Sequence, residues 1–298
     1  MRKEILLVGG SGFLGLNLIK SLGNNKKYRI TSVSRQKQKI FKKDKNLKFI
    51  KADFSNFNQI KKNLKKKNFD IIINFGGNIN HDNKNQIEKS HFTLCSNLIR
   101  FFNNKKIDLF IQAGSSMEYG LAKSPNYENS ECKPKSYYGI SKLKSTQALK
   151  KSQLNYIVLR LYQIYGPYQK INRLIPIAIN QLLDNKKFNA SSGRQVRDFL
   201  YVDDFIELIK KILLSKKPIK GVYNVGCGKP LSVKQILEKI KKLIKLGKIN
   251  YDTIKMKKSE TKKSYPNVKK IEKIFKWKSK INLEKGLNKT ITFYKNNL

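Results

Sequence analysis

Residues 4–15 read Glu4-Ile5-Leu6-Leu7-Val8-Gly9-Gly10-Ser11-Gly12-Phe13-Leu14-Gly15. An apolar run ends in a glycine turn, and a helical pattern follows over residues 13–22. Gly9, Gly12 and Gly15 recur at every third position. Residues without Cβ allow positive φ and close backbone approach to a phosphate. The helix behind the turn aims its first N–H groups at such an anion. A tight turn with no ligand is the alternative reading. The place of the glycines, after a strand and before a helix, favours a dinucleotide pyrophosphate. The candidate cofactor residues here are Gly9, Ser11, Gly12, Phe13, Leu14 and Gly15.

Working outward, strands and helices alternate. Strands are expected at residues 4–8, 29–34, 47–50, 70–75, 109–113 and 156–161. Helices are expected at 13–22, 60–67, 86–102 and 138–151. The run Asp70-Ile71-Ile72-Ile73-Asn74-Phe75 is nearly all apolar, as suits a strand buried on both faces. The alternation predicts an α/β fold, a Rossmann-type doubly wound parallel sheet. Ligands of such a sheet lie beyond the strand C-termini, so Phe75 and Gly76 join the cofactor candidates. Past Pro167 the pattern loosens. Helices are expected at 174–183, 203–214 and 233–246, and short strands near 199–201 and 222–225. The expectation is a cofactor domain over residues 1–167 and a smaller α/β substrate domain over 168–298, partly interwoven with the first.

Composition narrows the class. There are 64 Lys+Arg against 20 Asp+Glu, a formal net charge of +44. Lysines spread along the whole chain, as in Lys61-Lys62 and Lys65-Lys66-Lys67, read as solvated helix faces. No zinc-finger, RNP-like or helix-turn-helix signature accompanies them, so no specific nucleic-acid role is expected. The charge would still attract anionic substrates. Cys95, Cys132 and Cys227 form no CxxC pair and no disulfide framework. With His81 and His91 they make no metal site by spacing, and no metal is expected. No run approaches the ~18–20 apolar residues of a membrane span. The N-terminal apolar stretch is too short for a signal peptide, and a cytoplasmic protein is expected.

An acid about 20 residues past the glycine turn, at the end of the second strand, would hold the ribose hydroxyls of NAD. Ser34-Arg35 stands there instead. Arg35 suits the extra 2′-phosphate of NADP, or is one more surface cation. NADP is preferred and NAD is the alternative. Asp53 meets the adenine edge or caps a loop.

The fifth strand ends in Ala113-Gly114-Ser115-Ser116-Met117-Glu118-Tyr119-Gly120, and Ser136-Tyr137-Tyr138-Gly139-Ile140-Ser141-Lys142 follows. Tyr138 and Lys142 are four apart and share one helix face. Hydride exchange at a carbinol or ketone needs a proton moved at the oxygen. A tyrosine hydroxyl does this when neighbouring positive charge favours its phenolate, and a serine hydroxyl can hold the same oxygen. Ser115, Tyr138 and Lys142 are the candidate catalytic residues, and Tyr138 and Lys142 also face the cofactor. Tyr137 competes with Tyr138, but its spacing to Lys142 is wrong for one face.

With these motifs the chain resembles the extended short-chain dehydrogenase/reductase family, the NAD-dependent epimerase/dehydratase group. The resemblance includes GGSGFLG (9–15), GSSMEYG (114–120), YYGISK (137–142), LRLYQIYGP (159–167), GRQVRDFLYVDD (193–204), YNVGCGKPLSV (223–233) and FKWKSKINLEKGLNKTITFY (275–294). It implies that Tyr138 is the acid/base, Lys142 its partner and a nicotinamide-ribose ligand, and Ser115 the substrate-oxygen donor, with Ser116 as the neighbouring alternative. It matches Arg197 to an arginine on the substrate diphosphate, where an ion pair with Asp198 or Asp203 is the other reading. It places Asn172 and Arg173 in the loop that meets the nucleotide, and Gln163 at the substrate. It also implies a homodimer through the two helices after strands 4 and 5.

The sequence departs from the family in three places. Dehydratases carry an acidic pair after the catalytic Ser/Thr, where this chain has Ser116-Met117. Gln163 replaces an asparagine, and His91 replaces another. The expectation is an NADPH-dependent reductase of a 4-keto (deoxy)sugar nucleotide. The alternatives are a nucleotide-sugar 4-epimerase with tightly bound NAD(P), and a non-catalytic NADP-binding scaffold.

Overall fold

A strand with isoleucine or leucine at successive positions has no polar face and is stable only when covered on both sides. Ile71, Ile72 and Ile73 are such a run, and all three are buried. They lie in the middle of a sheet in the computed structural model, which describes residues 2–23, 25–36, 45–78, 83–215, 219–255 and 261–297. In chain order the strands are β1 (Lys3–Val8), β2 (Tyr28–Ser34), β3 (Leu47–Lys51), β4 (Ile71–Asn74), β5 (Leu109–Ser115), β6 (Tyr156–Leu161), β7 (Gln163–Tyr165), β8 (Lys187–Asn189), β9 (Val196–Tyr201), β10 (Gly221–Val225), β11 (Pro230–Ser232), β12 (Lys248–Asn250) and β13 (Lys263–Ser264). The seven-stranded sheet runs β10-β6-β5-β4-β1-β2-β3, and its pairings from β6 to β3 are parallel. Strand order reverses between β1 and β4, which opens a crevice at their C-termini. The Rossmann-type sheet expected from the alternation is the one found.

The covering helices are α1 (Phe13–Leu22), α2 (Phe57–Leu64), α3 (Lys84–Glu88), α4 (Leu94–Phe102) and α5 (Tyr137–Lys151). On one face, Leu6, Val8, Ile72 and Phe110 of the strands pack with Ile60, Leu64, Leu94, Leu98, Phe102 and Leu149 of α2, α4 and α5. The expected helix over 60–67 begins earlier, because Asn56 caps it by accepting from the Asn58 N–H. The expected helix over 86–102 is continuous but carries a π turn at Lys89–Thr93, a local widening that periodicity does not reveal.

The chain forms two compact units, residues 1–121, 131–161 and 214–223 in the first and 122–130, 162–213 and 224–298 in the second. Residues 162–167, expected in the cofactor domain, belong to the second unit, where β7 pairs with β9. The strand expected near 222–225 in the smaller domain is β10, an edge of the large sheet. In the second unit β9 also pairs antiparallel with β11 and parallel with β13, while β12 pairs with β8. Its helices are α6 (Leu174–Leu183), α7 (Val202–Leu214), α8 (Val233–Ile244), α9 (Lys269–Phe275) and α10 (Leu283–Lys295). Asp204 secures this unit's C-terminal segment by accepting from the Lys280 and Ile281 N–H groups at 3.0 and 2.9 Å.

Candidate active site

The glycine turn closes on the crevice. Gly9 has φ +84°, and a Cβ there would stand 2.6 Å from the Phe75 carbonyl carbon. At Gly15 a Cβ would lie 2.4 Å from the Gly9 oxygen. Backbone therefore meets backbone at both points, and the turn packs against Phe75 and Gly76 at the end of β4. Gly12 is the N-cap of α1, no side chain caps that end, and no acid stands in its first turn. The N–H groups at Phe13 and Leu14 thus form an anion cradle, with half-buried Ser11 beside it. This cradle fits a dinucleotide pyrophosphate. Arg35 is exposed just past β2. Asp53 caps a loop by accepting from the Ser55 N–H at 2.9 Å, the plainer of its two expected roles.

Ser115 is the last residue of β5 and the N-cap of a 3₁₀ turn over Ser116–Glu118. Its Oγ accepts from the Met117 N–H at 3.2 Å, which leaves its O–H as a donor. Helix α5 begins under a Ser136 cap, whose Oγ accepts from the Gly139 N–H at 3.1 Å. Gly139 lets α5 approach this turn, since a Cβ there would lie 2.4 Å from the Met117 oxygen. Tyr138 is half-buried. One helical turn on, Lys142 is 4% exposed. Its Nζ lies 5.8 Å from the Tyr138 ring centroid and donates to the Ala113 oxygen at 2.8 Å. Tyr137 is exposed, with Lys84 5.0 Å over its ring. The structure thus brings Ser115, Tyr138 and Lys142 to the C-terminal edge of the sheet.

Three features escape the sequence reading. First, a buried polar chain joins Gly76, beside the glycine turn, to the carbonyl that holds Lys142. Asn74 Oδ1 accepts from the Gly76 N–H at 3.0 Å, Asn74 Nδ2 donates to Gln112 Oε1 at 2.8 Å, and Gln112 Nε2 donates to the Ala113 oxygen at 2.9 Å. Second, the π turn holds His91 edge-to-face with Tyr138 at 5.0 Å, with His91 Nε2 3.0 Å from the Asn78 oxygen. Third, Glu118 forms a buried ion pair with Arg160 at 2.9 Å, the two side chains 0% and 3% exposed. Burial is the largest influence and opposes the Arg160 charge, but the Glu118 carboxylate together with Tyr119 and Cys132 outweighs it and raises the guanidinium above its ordinary range. Losing one partner of such a pair costs about 3–5 kcal/mol. One signal was legible: an arginine inside the apolar run Ile157-Val158-Leu159-Arg160-Leu161 needs a buried acid.

The substrate candidates Gln163, Asn172, Arg173 and Arg197 lie in the second unit. Gln163 and Asn172 are exposed, and Arg173 is partly buried at the N-cap of α6. Arg197 is 8% exposed and its Nη1 donates to the Val196 oxygen at 2.8 Å. Asp203 pairs with Lys289 at 3.1 Å, and Asp198 accepts from the Cys227 N–H at 2.7 Å. Among the described residues no group of three His, Cys, Asp or Glu stands together; His81 lies outside them. No described helix is long and apolar enough to cross a membrane. Cys95, Cys132 and Cys227 are thiols and form no disulfide.

A doubly wound sheet, a glycine turn between β1 and α1 and a Ser/Tyr/Lys constellation define an enzyme of the extended short-chain dehydrogenase/reductase type. The sequence matches the family model "NAD dependent epimerase/dehydratase family" over residues 5–226, and the chain belongs to that family. A UDP-glucuronate 4-epimerase of Thermodesulfobacterium geofontis is 26% identical over 99% of this chain and 92% of its own length. The human dTDP-D-glucose 4,6-dehydratase is 26% identical over 99% of this chain and 91% of its own. A crystal structure of dTDP-glucose 4,6-dehydratase from Bacillus anthracis in complex with NAD superposes with TM-score 0.88 at 25% identity. It covers 99% of this chain and 97% of that one.

Proposed function

We propose that this chain reduces a 4-keto (deoxy)sugar nucleotide with NADPH. The observation that carries the cofactor choice is Arg35, exposed at the end of β2 where an acid would serve NAD and repel a 2′-phosphate. The bound cofactor would rest on the Gly9–Gly15 turn and supply the hydride. Ser115 donates its O–H to the substrate carbonyl oxygen, and Tyr138 delivers the proton to that oxygen as it gains negative charge. Lys142, anchored on Ala113, keeps a positive charge beside Tyr138 and has further N–H donors for the cofactor ribose. Arg197, Asn172, Arg173 and Gln163 are the proposed ligands of the nucleotide diphosphate and sugar. A homodimer through α4 and α5 is part of the proposal.

Elimination across C5 and C6 needs an acid/base pair beside the reacting carbons. Ser116 and Met117 offer none, and the Glu118 carboxylate is committed to Arg160. Dehydration is therefore not proposed, although dehydratases are among the relatives. A second reading is favoured by the epimerase relative: a 4-epimerase, in which the same groups move the proton in both directions.

Mass-spectrometric turnover on UDP-, dTDP-, CDP- and GDP-sugars, with NADPH, with NADH and with neither, separates the two. A two-hydrogen gain on a 4-keto sugar that requires NADPH supports the reductase. Isomerisation at constant mass without added cofactor makes the chain an epimerase.

A further inference from the structure

Glu118 makes more contacts than an ion pair requires. Its Oε1 accepts from the Ser115 N–H at 2.8 Å. Its Oε2 accepts from Thr146 Oγ1 at 2.8 Å and from Arg160 Nε at 2.9 Å. The carboxylate fills the space that Gly114 leaves, where a Cβ would stand 2.7 Å from Oε1. Thr146 lies four residues beyond Lys142 and eight beyond Tyr138, on the same face of α5. Arg160 is itself fixed from the other side, with its guanidinium 4.4 Å over the Tyr119 ring.

We propose that Glu118 is a positioning residue of the Ser115, Tyr138 and Lys142 site. One carboxylate sets the strand end that carries Ser115 and the helix that carries Tyr138 and Lys142 in a single register. A buried ion pair by itself is a weak source of stability, since apolar residues of similar volume often serve as well. A carboxylate adds direction: two oxygens with fixed lone pairs hold groups from β5, α5 and β6 at once. The capping box orients the Ser115 hydroxyl in the same stroke, because the Ser115 N–H and Oγ are both engaged within the turn. The proposal rests on the proposed function only in taking Ser115, Tyr138 and Lys142 as the reactive groups.

Thr146→Val is the variant of choice, because it removes one bond to Glu118 and keeps the ion pair. Thr146→Ser restores the hydroxyl, and Glu118→Gln tests the carboxylate itself. Two readouts are needed: amide hydrogen exchange at Ser115, and kcat and KM with NADPH on the sugar that the panel identifies. In Thr146→Val, kcat should fall about five- to tenfold with KM within about twofold, because misplacement acts on the reaction and not on binding. Ser115 exchange should quicken several-fold, and Thr146→Ser should return both to wild type. Glu118→Gln, where it folds, should show larger changes in the same direction. Wild-type kcat or unchanged Ser115 protection in Thr146→Val overturns the proposal. If the wild-type chain turns over no sugar on the panel, that failure belongs to the functional reading. Ser115 exchange in the Thr146 pair then decides this one alone.

Discussion

Lys142 and Gln112 donate to the same acceptor, the Ala113 carbonyl oxygen, at 2.8 and 2.9 Å. The ammonium beside Tyr138 is thus located by the strand that ends in Ser115. Through Gln112 and Asn74 that acceptor is linked to the Gly76 N–H just past the end of β4.

Tyr138→Phe should lower turnover by about 10²–10⁴-fold, the usual worth of a positioned acid/base, and leave NADPH affinity nearly unchanged. Tyr137→Phe should keep wild-type turnover, because that ring is exposed at the helix start. Steady-state kinetics with a fluorescence titration of NADPH checks both. Full turnover in Tyr138→Phe would take the acid/base role away from Tyr138, whereas unchanged biological activity in a variant without turnover would favour a non-catalytic binding role.

Gly9→Ala should abolish detectable NADPH binding. The new methyl would meet the Phe75 carbonyl carbon at 2.6 Å on a residue already at φ +84°, and neither backbone segment can yield cheaply. Gly12→Ala meets its nearest neighbour only at 3.3 Å and should be the milder change. Equal affinity in the wild type and Gly9→Ala would remove the pyrophosphate from this turn.

Arg35→Asp should weaken NADPH binding at least about tenfold, the loss of one charge-assisted contact plus repulsion of a 2′-phosphate. The same change should improve NADH binding, since an acid at this position suits free ribose hydroxyls. Isothermal titration with both cofactors reads the ratio. An unchanged ratio would make Arg35 a surface cation and favour the NAD-bound epimerase.

Burial pushes the Cys95 thiol up from 9.0 to about 12, and burial raises Tyr165 and Tyr201 as well. Between pH 9 and about 12 the unfolded chain has released the Cys95 proton and the native chain has kept it. Native protein then binds more protons, so stability falls as pH rises through that window. Thermal melts from about pH 7 to about pH 11 should show Tm declining above about 9, less steeply in Cys95→Ala. Equal slopes in the two proteins would remove Cys95 from the cause. At about pH 8 the native Cys95 should also resist thiol reagents that label it after denaturation.

The legible parts of this chain were those whose physics is local. Apolar runs gave β1 and β4, and residues without Cβ marked a turn where backbone must touch backbone. The i,i+4 rule singled out Tyr138 over Tyr137. What escaped was set by tertiary partners. Strands of two or three residues, such as β7 and β13, exist only because β9 lies beside them. The π turn that brings His91 to Tyr138 has no periodic signature. In the sequence Glu118 is one acid of the 114–120 motif, and only the fold shows that Arg160 and Thr146, 42 and 28 residues away, converge on it.

The position of β10 at the edge beside β6 bears on how the chain is made. A ribosome releases residues 3–161 long before residues 221–225, so the nascent sheet waits with β6 as its bare margin. Tyr156, Ile157, Val158 and Leu159 are all buried in the finished protein, and an apolar margin of this kind invites pairing with another chain. Cutting the gene after residue 167, where the alternating pattern loosens, would make this transient hazard permanent. Residues 1–167 should be produced only together with the strand that closes their sheet.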